Sequence, residues 1–232
     1  KWGFEDVLFN EEQLSLPQDF GTYVMENILF KISFPAEFHA QTAVEAAVML
    51  HPHIKDRLDD IKTIEVTTHE SAIRIISKVG ELNNPADRDH CLQYMIAIGL
   101  LKGDLVAEDY EDDVASDPKI DRLREKMIIN EDKRYSVEYH EADKRSIANK
   151  LQIHFNDGTS SEEIEVEYPI GHKRRRVEGI PVLEQKFKNN LEITFDSEKC
   201  DEIYNLCINQ KDLENTSVLD FQKLFSLENN IF

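Results

Sequence analysis

Residues 151–168 read LQIHFNDGTSSEEIEVEY, and this stretch says more about the fold class than any other part of the chain. Apolar and polar side chains alternate over 151–155 and again over 164–168, which is the period of a strand with one buried face. Between them, Asn156-Asp157-Gly158-Thr159 contains the Asp-Gly pair typical of a hairpin turn, because glycine accepts a positive φ at little cost. A two-stranded ribbon is marginal alone, so we expect further strands to join it and helices to cover its apolar face.

The sequence before the hairpin contains one such strand and one such helix. Residues 61–68 alternate and are rich in β-branched side chains, which predicts a strand. Ser33 is placed to cap a helix whose first turn contains Pro35, and small residues follow at three- and four-residue spacing. This pattern predicts a closely packed helix that ends before Pro52.

A second helix is marked at both ends. Asn84 as the cap, Pro85 just inside and Gly103 just outside predict a single helix over 86–102. The run 104–113 that follows contains six acidic residues and no basic one, which is typical of a solvated helix or loop.

These patterns predict an α+β fold, in which an antiparallel sheet with covering helices lies between two mainly helical ends. The sheet unit covers roughly residues 31–170. One more helix is indicated by Ile120, Leu123 and Met127, and the pattern is helical again from Pro181 onward.

Composition excludes several classes of protein. Of 232 residues, 41% are apolar, which is enough to bury a core and argues against a disordered chain. The formal charge of −19 argues against nucleic acid or an anionic membrane as the main partner, since both are polyanions. Apolar runs such as 95–101 are far shorter than the roughly 18 residues that a membrane span needs.

The cysteines and the first residue bear on where the protein works. Cys91, Cys200 and Cys207 are scattered and do not form a disulfide framework, so we interpret them as buried structural thiols in a reducing, cytoplasmic compartment. The chain opens at Lys1 without a methionine or a targeting segment, which favours processing or a start within a longer polypeptide.

Standard catalytic and phosphate-binding motifs are absent from the sequence, but the stretch 31–39 (KISFPAEFH) combines groups that could act together. Lys31 and a helix start could bind a carboxylate, and Glu37 and His39 could move a proton. The alternative is an ordinary capped helix with a lysine that extends to solvent.

Two further stretches are candidates for anion binding. Residues 171–176 (GHKRRR) form the one dense basic run, which includes His172 and Arg174; it is either an anion site or a solvated loop that pairs with the acidic run. Arg88 and His90 follow the capped turn at Asn84 and are candidate ligand contacts, with plain helix-start polarity as the alternative.

Three long segments resemble the 2-methylcitrate dehydratases of the MmgE/PrpD superfamily. They are VMENILFKISFPAEFH (24–39), LNNPADRDHC (82–91) and VEYPIGH (166–172), in this order. The resemblance extends over essentially the whole chain, more loosely beyond about residue 190. Members of the family are about twice as long, so this chain resembles their C-terminal half.

The resemblance implies an architecture and a reaction. Residues 1–30 would end an N-terminal helical domain, 31–175 would form an α+β lid, and 176–232 would return as a helical tail to the larger all-α domain. The family's active site lies in the cleft between the two domains. The reaction is loss of water from 2-methylcitrate, in propionate breakdown, without an iron–sulfur cluster or other cofactor.

The resemblance also assigns residues. Lys31 is the expected contact to a substrate carboxylate, and Glu37 and His39 lie near the position where relatives have a catalytic-site histidine. Related cis-aconitate decarboxylases have a histidine where this chain has Glu37, which favours the dehydratase. Arg88, His90, His172 and Arg174 match dehydratase motifs as substrate-binding candidates.

Several expectations accompany these assignments. The partner is a small tricarboxylate, with no metal, no nucleic acid and no membrane, and the protein is a homodimer in the cytoplasm, or in the mitochondrial matrix if eukaryotic. The chain alone is expected to be inactive, because other active-site residues of the family lie in the N-terminal half. The open alternatives are a decarboxylase or epimerase of the same superfamily, and a silent domain that acts by dimerisation or partner binding.

Overall fold

The computed structural model describes residues 2–10, 12, 13, 15, 21 and 28–226. Much of the predicted N-terminal segment 1–30, including the first four residues of the 24–39 motif, lies outside these described residues. In the described part the helices are α1 Phe4–Leu8, α2 Gln41–Ile54, α3 Glu70–Ile76, α4 Pro85–Asp89, α5 Leu92–Lys102, α6 Asp112–Ala115, α7 Pro118–Arg124, α8 Lys133–His140, α9 Arg176–Glu192, α10 Ser197–Ile208, α11 Gln210–Asn215 and α12 Val218–Leu224. The 3-10 turns are Phe38–Ala40, Lys55–Asp60, Ala107–Tyr110 and Lys173–Arg175, and the strands are β1 Ile61–Thr68, β2 Met127–Glu131, β3 Asn149–Phe155 and β4 Ile164–Val166.

The four strands form one mixed sheet in the order β2-β1-β3-β4. β3 pairs antiparallel with both β1 and β4, as the alternation predicts. The turn after β3 places Gly158 at φ 86°, so the left-handed conformation expected of the Asp-Gly pair is present. β2 pairs with β1 in parallel, so the prediction of an antiparallel sheet is wrong for this one strand.

Helices α2 and α5 cover one face of the sheet and form the main core with it. Ile64, Val66 and Ile153 of the sheet are fully buried in this core. The predicted close packing is confirmed, because a Cβ placed on Gly99 of α5 would lie 2.9 Å from the Cβ of Ala47 in α2. Residues on the other face, such as Glu65, are exposed, and polar side chains are found there as the period of two requires.

Two predictions about the first helix are wrong. Ser33 does not cap it; Glu37 caps a 3-10 turn instead, and α2 begins at Gln41. The helix also continues through Pro52 to Ile54. A proline so close to a helix end removes only one late hydrogen bond, and the buried side chain of Ile54 holds the last turn against the core.

The predicted caps of the second helix are confirmed, but the prediction of one unbroken helix is wrong. Asn84 accepts a hydrogen bond from the Asp87 amide, and Gly103 adopts φ 73° as a left-handed C-cap. The predicted single helix over 86–102 is instead two helices, α4 and α5, separated at His90 and Cys91. Cys91 has an extended backbone conformation, and it turns the chain so that residues 92–100 are all buried.

The helical pattern predicted from Pro181 onward is confirmed by helices α9 to α12, the first of which already begins at Arg176. They enclose a small second core of Leu191, Cys200 and Ile203. Several large apolar side chains of the tail are exposed, among them Val177, Ile193 and Val218. In the part of the chain that the structure describes, no helix is long and apolar enough to cross a membrane.

Candidate functional site

Glu37 and His39 form a hydrogen-bonded pair at the entrance to α2. Both carboxylate oxygens of Glu37 contact Nδ1 of His39, at 2.8 and 3.0 Å, and one of them also accepts from the His39 backbone amide at 2.8 Å. Burial raises the pKa of Glu37, but hydrogen bonds and the charge interaction with His39 outweigh it and hold that pKa below its ordinary value. A carboxylate that accepts from Nδ1–H fixes the histidine tautomer and leaves Nε2 to act as the acceptor.

The other ring nitrogen of His39 faces Tyr139 of α8. Nε2 of His39 and the phenol oxygen of Tyr139 are 3.1 Å apart. The rings of His69 and His140 also contact Tyr139, with centroids 4.7 and 4.9 Å away. We call Glu37, His39, His69, Tyr139 and His140 the histidine–tyrosine cluster.

His69 is the buried member of this cluster. Its ring lies nearly parallel to that of Tyr139, at an interplanar angle of 14°, and 5.2 Å from that of His39. Nδ1 accepts a hydrogen bond of 3.4 Å from the Ala72 amide and so caps α3, which makes Nε2–H the tautomer. Burial, together with the charge on His39, lowers the pKa of His69 to about 4, so the ring is neutral near pH 7.

Contacts from three elements hold the cluster in place. Ser136 of α8 accepts from the Glu70 amide at 2.8 Å, which fastens the helix that carries Tyr139 to the one that His69 caps. Asn149, at the start of β3, donates to the His39 carbonyl at 2.9 Å and to Thr42 at 2.8 Å. The cluster therefore rests on the ends of rigid elements, where side chains are well ordered.

The structure places the segment of Lys31 against the basic run. The Phe30 amide donates to the Gly171 carbonyl at 3.2 Å, and a Cβ on Gly171 would lie only 1.6 Å from the Phe30 carbonyl oxygen, so this contact requires glycine. Lys31 itself is exposed, and its backbone carbonyl accepts from the Lys186 ammonium at 3.0 Å. Within the described residues, the ammonium of Lys31 makes no ion pair.

His172 and Arg174 differ in exposure. His172 is fully buried, accepts a hydrogen bond from the Arg174 amide at 3.2 Å, and packs against Tyr168 at 4.5 Å. Burial lowers the pKa of His172 to about 4, and the charge of Arg174 adds to this effect. Arg174 is exposed and donates to the Asp143 carbonyl at 2.8 Å, in the loop that follows His140. That loop therefore connects the basic run to the end of α8, where Tyr139 and His140 of the histidine–tyrosine cluster lie.

The contacts of Arg88 and His90 do not reach this cluster. The guanidinium of Arg88 is buried, donates to the Tyr110 carbonyl at 2.6 Å and pairs with Asp112 at 2.6 Å. His90 is exposed and contacts Asp89 at 2.5 Å. Arg88 thus anchors the acidic run, and that run is less solvated than expected, because Asp109 is buried and paired with Lys102.

The described residues contain no group of three or more His, Cys, Asp or Glu side chains arranged to hold a metal ion. Cys91 lies in the main core, whereas Cys200 lies in the core of the tail. All three thiols are free, and Cys207 is only half-buried. These cysteines of the chain are therefore not arranged as joint ligands of one cluster.

Sequence reasoning identified Glu37 and His39 but missed the role of Tyr139. Tyr139 lies 100 residues away from His39, in a helix that the sequence pattern did not predict. His69 carried a weak signal, because it directly follows the predicted strand 61–68. Side chains at the end of a strand are often turned toward a site, and that position is the clue that was available.

Comparison with known proteins identifies the family. Residues 34–210 match the MmgE/PrpD C-terminal domain. The mitochondrial 2-methylcitrate dehydratase of Yarrowia lipolytica is 52% identical over 97% of this chain and 43% of its own length. The 2-methylcitrate dehydratase of Escherichia coli K12 is 51% identical over 97% of this chain and 47% of its own, and the probable 2-methylcitrate dehydratase of Saccharomyces cerevisiae is 56% identical over 82% and 38%. The chain thus spans less than half the length of these relatives, and it belongs to the MmgE/PrpD family.

Proposed function

We propose that this chain forms part of the active site of a hydro-lyase that converts 2-methylcitrate to 2-methyl-cis-aconitate and water. Support comes from relatives about 50% identical over nearly the whole chain that are named 2-methylcitrate dehydratase. The segments that carry the resemblance include the Glu37–His39 pair and the first two residues of the basic run, Gly171 and His172. A dehydratase of the methylcitrate cycle would act in the cytoplasm or in the mitochondrial matrix, and one relative is described as mitochondrial.

The reaction requires a base and an acid. A proton leaves the carbon next to a carboxylate, the C–O bond to the neighbouring hydroxyl breaks, and a proton joins the departing hydroxide to give water. Charge builds on a group that is already anionic, so cations must stabilise it, and an acid must assist the leaving hydroxide.

One observation carries the assignment of these roles, the 2.8 Å contact between the Glu37 carboxylate and Nδ1 of His39. Because Glu37 holds the proton on Nδ1, Nε2 presents a lone pair that can accept a proton from substrate. The same nitrogen, once protonated, can return the proton to the leaving hydroxide. We therefore assign His39 as the proton-transfer group and Glu37 as the residue that orients it and stabilises its charged form.

Cations near the cluster would bind the substrate carboxylates. Lys31 and Arg174 are exposed and lie in two segments that contact each other, and both charges are strong donors for carboxylates. His172 is buried and neutral, so it does not contribute charge. It holds the backbone of the basic run through its hydrogen bond to the Arg174 amide. Arg88 and His90 remain predictions, and their contacts favour a structural role for Arg88.

The proposal is tested by turnover of 2-methylcitrate, in the longest form of the protein that its reading frame encodes. Formation of the conjugated double bond is followed by ultraviolet absorbance. We expect Glu37→Gln and His39→Gln each to lower kcat by at least about 100-fold, the usual contribution of proton transfer. His154→Gln is a matched control, because His154 lies on the polar face of β3, away from the cluster, with Ser160 as its partner.

Two results would contradict the proposal. Unchanged kcat in both cluster variants would remove the catalytic role from Glu37 and His39. Release of carbon dioxide from cis-aconitate, with no turnover of 2-methylcitrate, would assign the protein to the decarboxylases of the superfamily. Dimerisation of the protein, also expected, is measured in the same preparations by light scattering.

A further inference from the structure

Tyr139 is the one described side chain that contacts the free nitrogen of His39. Its phenol oxygen lies 3.1 Å from Nε2, whereas Nδ1 is occupied by Glu37. Because Glu37 keeps the proton on Nδ1, Nε2 of the neutral ring can only accept, and the phenol must be the donor. The hydrogen bond therefore runs from the Tyr139 hydroxyl to the same lone pair that the proposed reaction uses.

The position of the hydroxyl is set by the packing of the tyrosine ring. His69 stacks on one face of Tyr139 at 4.7 Å, and His140 meets the ring edge-on at 4.9 Å with an interplanar angle of 76°. His69 is fully buried and is itself fixed by its hydrogen bond to the Ala72 amide. With two neighbouring rings in place, the phenol has little freedom to turn away from His39.

The backbone that carries Tyr139 is fixed as well. Asp132 caps α8 through the Arg134 amide at 2.8 Å, and Ser136 joins this helix to Glu70 of α3. On the side of His39, Asn149 holds the backbone carbonyl. Donor and acceptor are thus attached to separate elements whose relative placement is fixed by other contacts, which is the arrangement expected of a preorganised pair.

We infer that Tyr139 is a positioning residue for His39: its hydroxyl donates to the Nε2 lone pair and so fixes the orientation of the imidazole ring, while the proton that His39 transfers comes from substrate and leaves with the departing hydroxide. This inference rests on the proposed dehydratase function. It extends that function by connecting Glu37, His39 and Tyr139 in one chain of hydrogen bonds that holds the imidazole ring from both nitrogens. His69 takes part as the rigid surface against which the phenol is held.

The hydroxyl of Tyr139 also occupies the place of a substrate group. A donor at 3.1 Å from Nε2 stands where a hydroxyl of the substrate would have to approach the same nitrogen. A bound substrate must therefore either hydrogen-bond through the phenol or displace it. Because the phenol contacts His39, the residue assigned to proton transfer, we expect its removal to change the proton-transfer step more than substrate binding.

The test compares Tyr139→Phe with wild type in the protein uniformly labelled with ¹⁵N at histidine. Phenylalanine keeps the ring stack on His69 and removes only the hydroxyl. We expect the Nε2 resonance of His39 to move toward that of a nitrogen without a hydrogen bond, and kcat on 2-methylcitrate to fall by about 100-fold while KM changes less than about threefold.

Tyr110→Phe is the matched control, because the hydroxyl of Tyr110 is buried and has no hydrogen-bond partner among the described residues. We expect it to leave both the Nε2 resonance of His39 and kcat unchanged. A measurement of thermal unfolding on both variants shows whether each remains folded.

The possible failures can be told apart. If the Nε2 resonance is the same in Tyr139→Phe and wild type, the hydrogen bond does not exist in solution and the inference is wrong. If the resonance moves but kcat does not, the hydrogen bond exists but does not serve the reaction, and the inference is wrong. If wild type does not convert 2-methylcitrate at all, the proposed function is wrong, and the resonance alone decides whether Tyr139 holds His39.

Discussion

Replacing Arg175 by methionine removes a guanidinium that joins the basic run to helix α2. Arg175 forms a forked ion pair with Glu45 of α2, with both N–O distances 2.9 Å, and donates to the Tyr168 carbonyl at 2.7 Å. The side chains of Arg175 and Glu45 are 19% and 16% exposed. Methionine has a similar length and keeps part of the packing, so the change isolates the charge and its hydrogen bonds.

The expected magnitude follows from the burial. Loss of one partner from a fully buried pair costs about 3–5 kcal/mol, because the other charge is left without compensation. Since about a sixth of the Glu45 side chain is still exposed to water, we expect Arg175→Met to lower the free energy of unfolding by about 2–3 kcal/mol. We expect Glu45→Gln to cost less, since Arg175 keeps Tyr168 and Glu178 as partners.

Urea unfolding followed by far-ultraviolet circular dichroism measures these values for both single variants and the double variant. The coupling free energy between the two changes should be about 1–2 kcal/mol, because the two side chains interact directly. Lys223→Met is the control, since Lys223 and its partner Asp220 are both 63% exposed, and it should leave stability unchanged within error. Additive single effects, or a loss below about 1 kcal/mol in Arg175→Met, would show that the ion pair does not hold the basic run to α2.

Two other predictions concern the contact between Gly171 and Phe30 and the buried ring of His69. Gly171→Ala should lower the free energy of unfolding by more than about 3 kcal/mol in the same urea assay, because the added Cβ would lie 1.6 Å from the Phe30 carbonyl; a loss below about 1 kcal/mol would show that the two segments are not in contact. The pKa of His69 is lowered from 6.5 to about 4, so below pH 6.5 the unfolded chain binds more protons than the folded one, and stability is lost as the pH falls from 6.5 to 4. Between pH 7 and pH 5, His69 alone should account for a loss of about 2 kcal/mol in the free energy of unfolding. This contribution should be absent in His69→Gln. If that variant loses as much stability as wild type between the two pH values, the prediction is contradicted.

Local patterns predicted the elements whose ends are set by local chemistry. The strand Ile61–Thr68 has the predicted bounds, because β-branched residues occupy most of its positions; the alternation itself is interrupted by a shift in register between Ile61 and Thr63. The caps at Asn84 and Gly103 were also correct, because each depends on one hydrogen bond or one left-handed residue. Such features are encoded within a few residues and need no information from the rest of the chain.

Elements that depend on distant partners were missed. Strand β2 has five residues, and Met127 lies at a helical spacing from Ile120 and Leu123, so its sequence is compatible with the end of a helix. It becomes a strand because it pairs with β1, about 60 residues away in sequence. Helix α8 was missed as well, and with it the position of Tyr139, because its polar sequence has no long apolar stripe.

Charged residues that looked functional in the sequence are partly used to build the fold. In a chain with a net charge of −19, a cation near a backbone carbonyl or a carboxylate gains by pairing, and in this way Arg88 is buried and Arg175 is half-buried. Spacing along the sequence cannot distinguish such an arginine from one that binds substrate, because both follow turns and helix starts. Exposure separates them: Lys31 and Arg174 remain in contact with solvent. Under the proposed function, these two side chains are the candidates that bind a tricarboxylate, and His39, oriented by the ionised carboxylate of Glu37, is the candidate that transfers the proton.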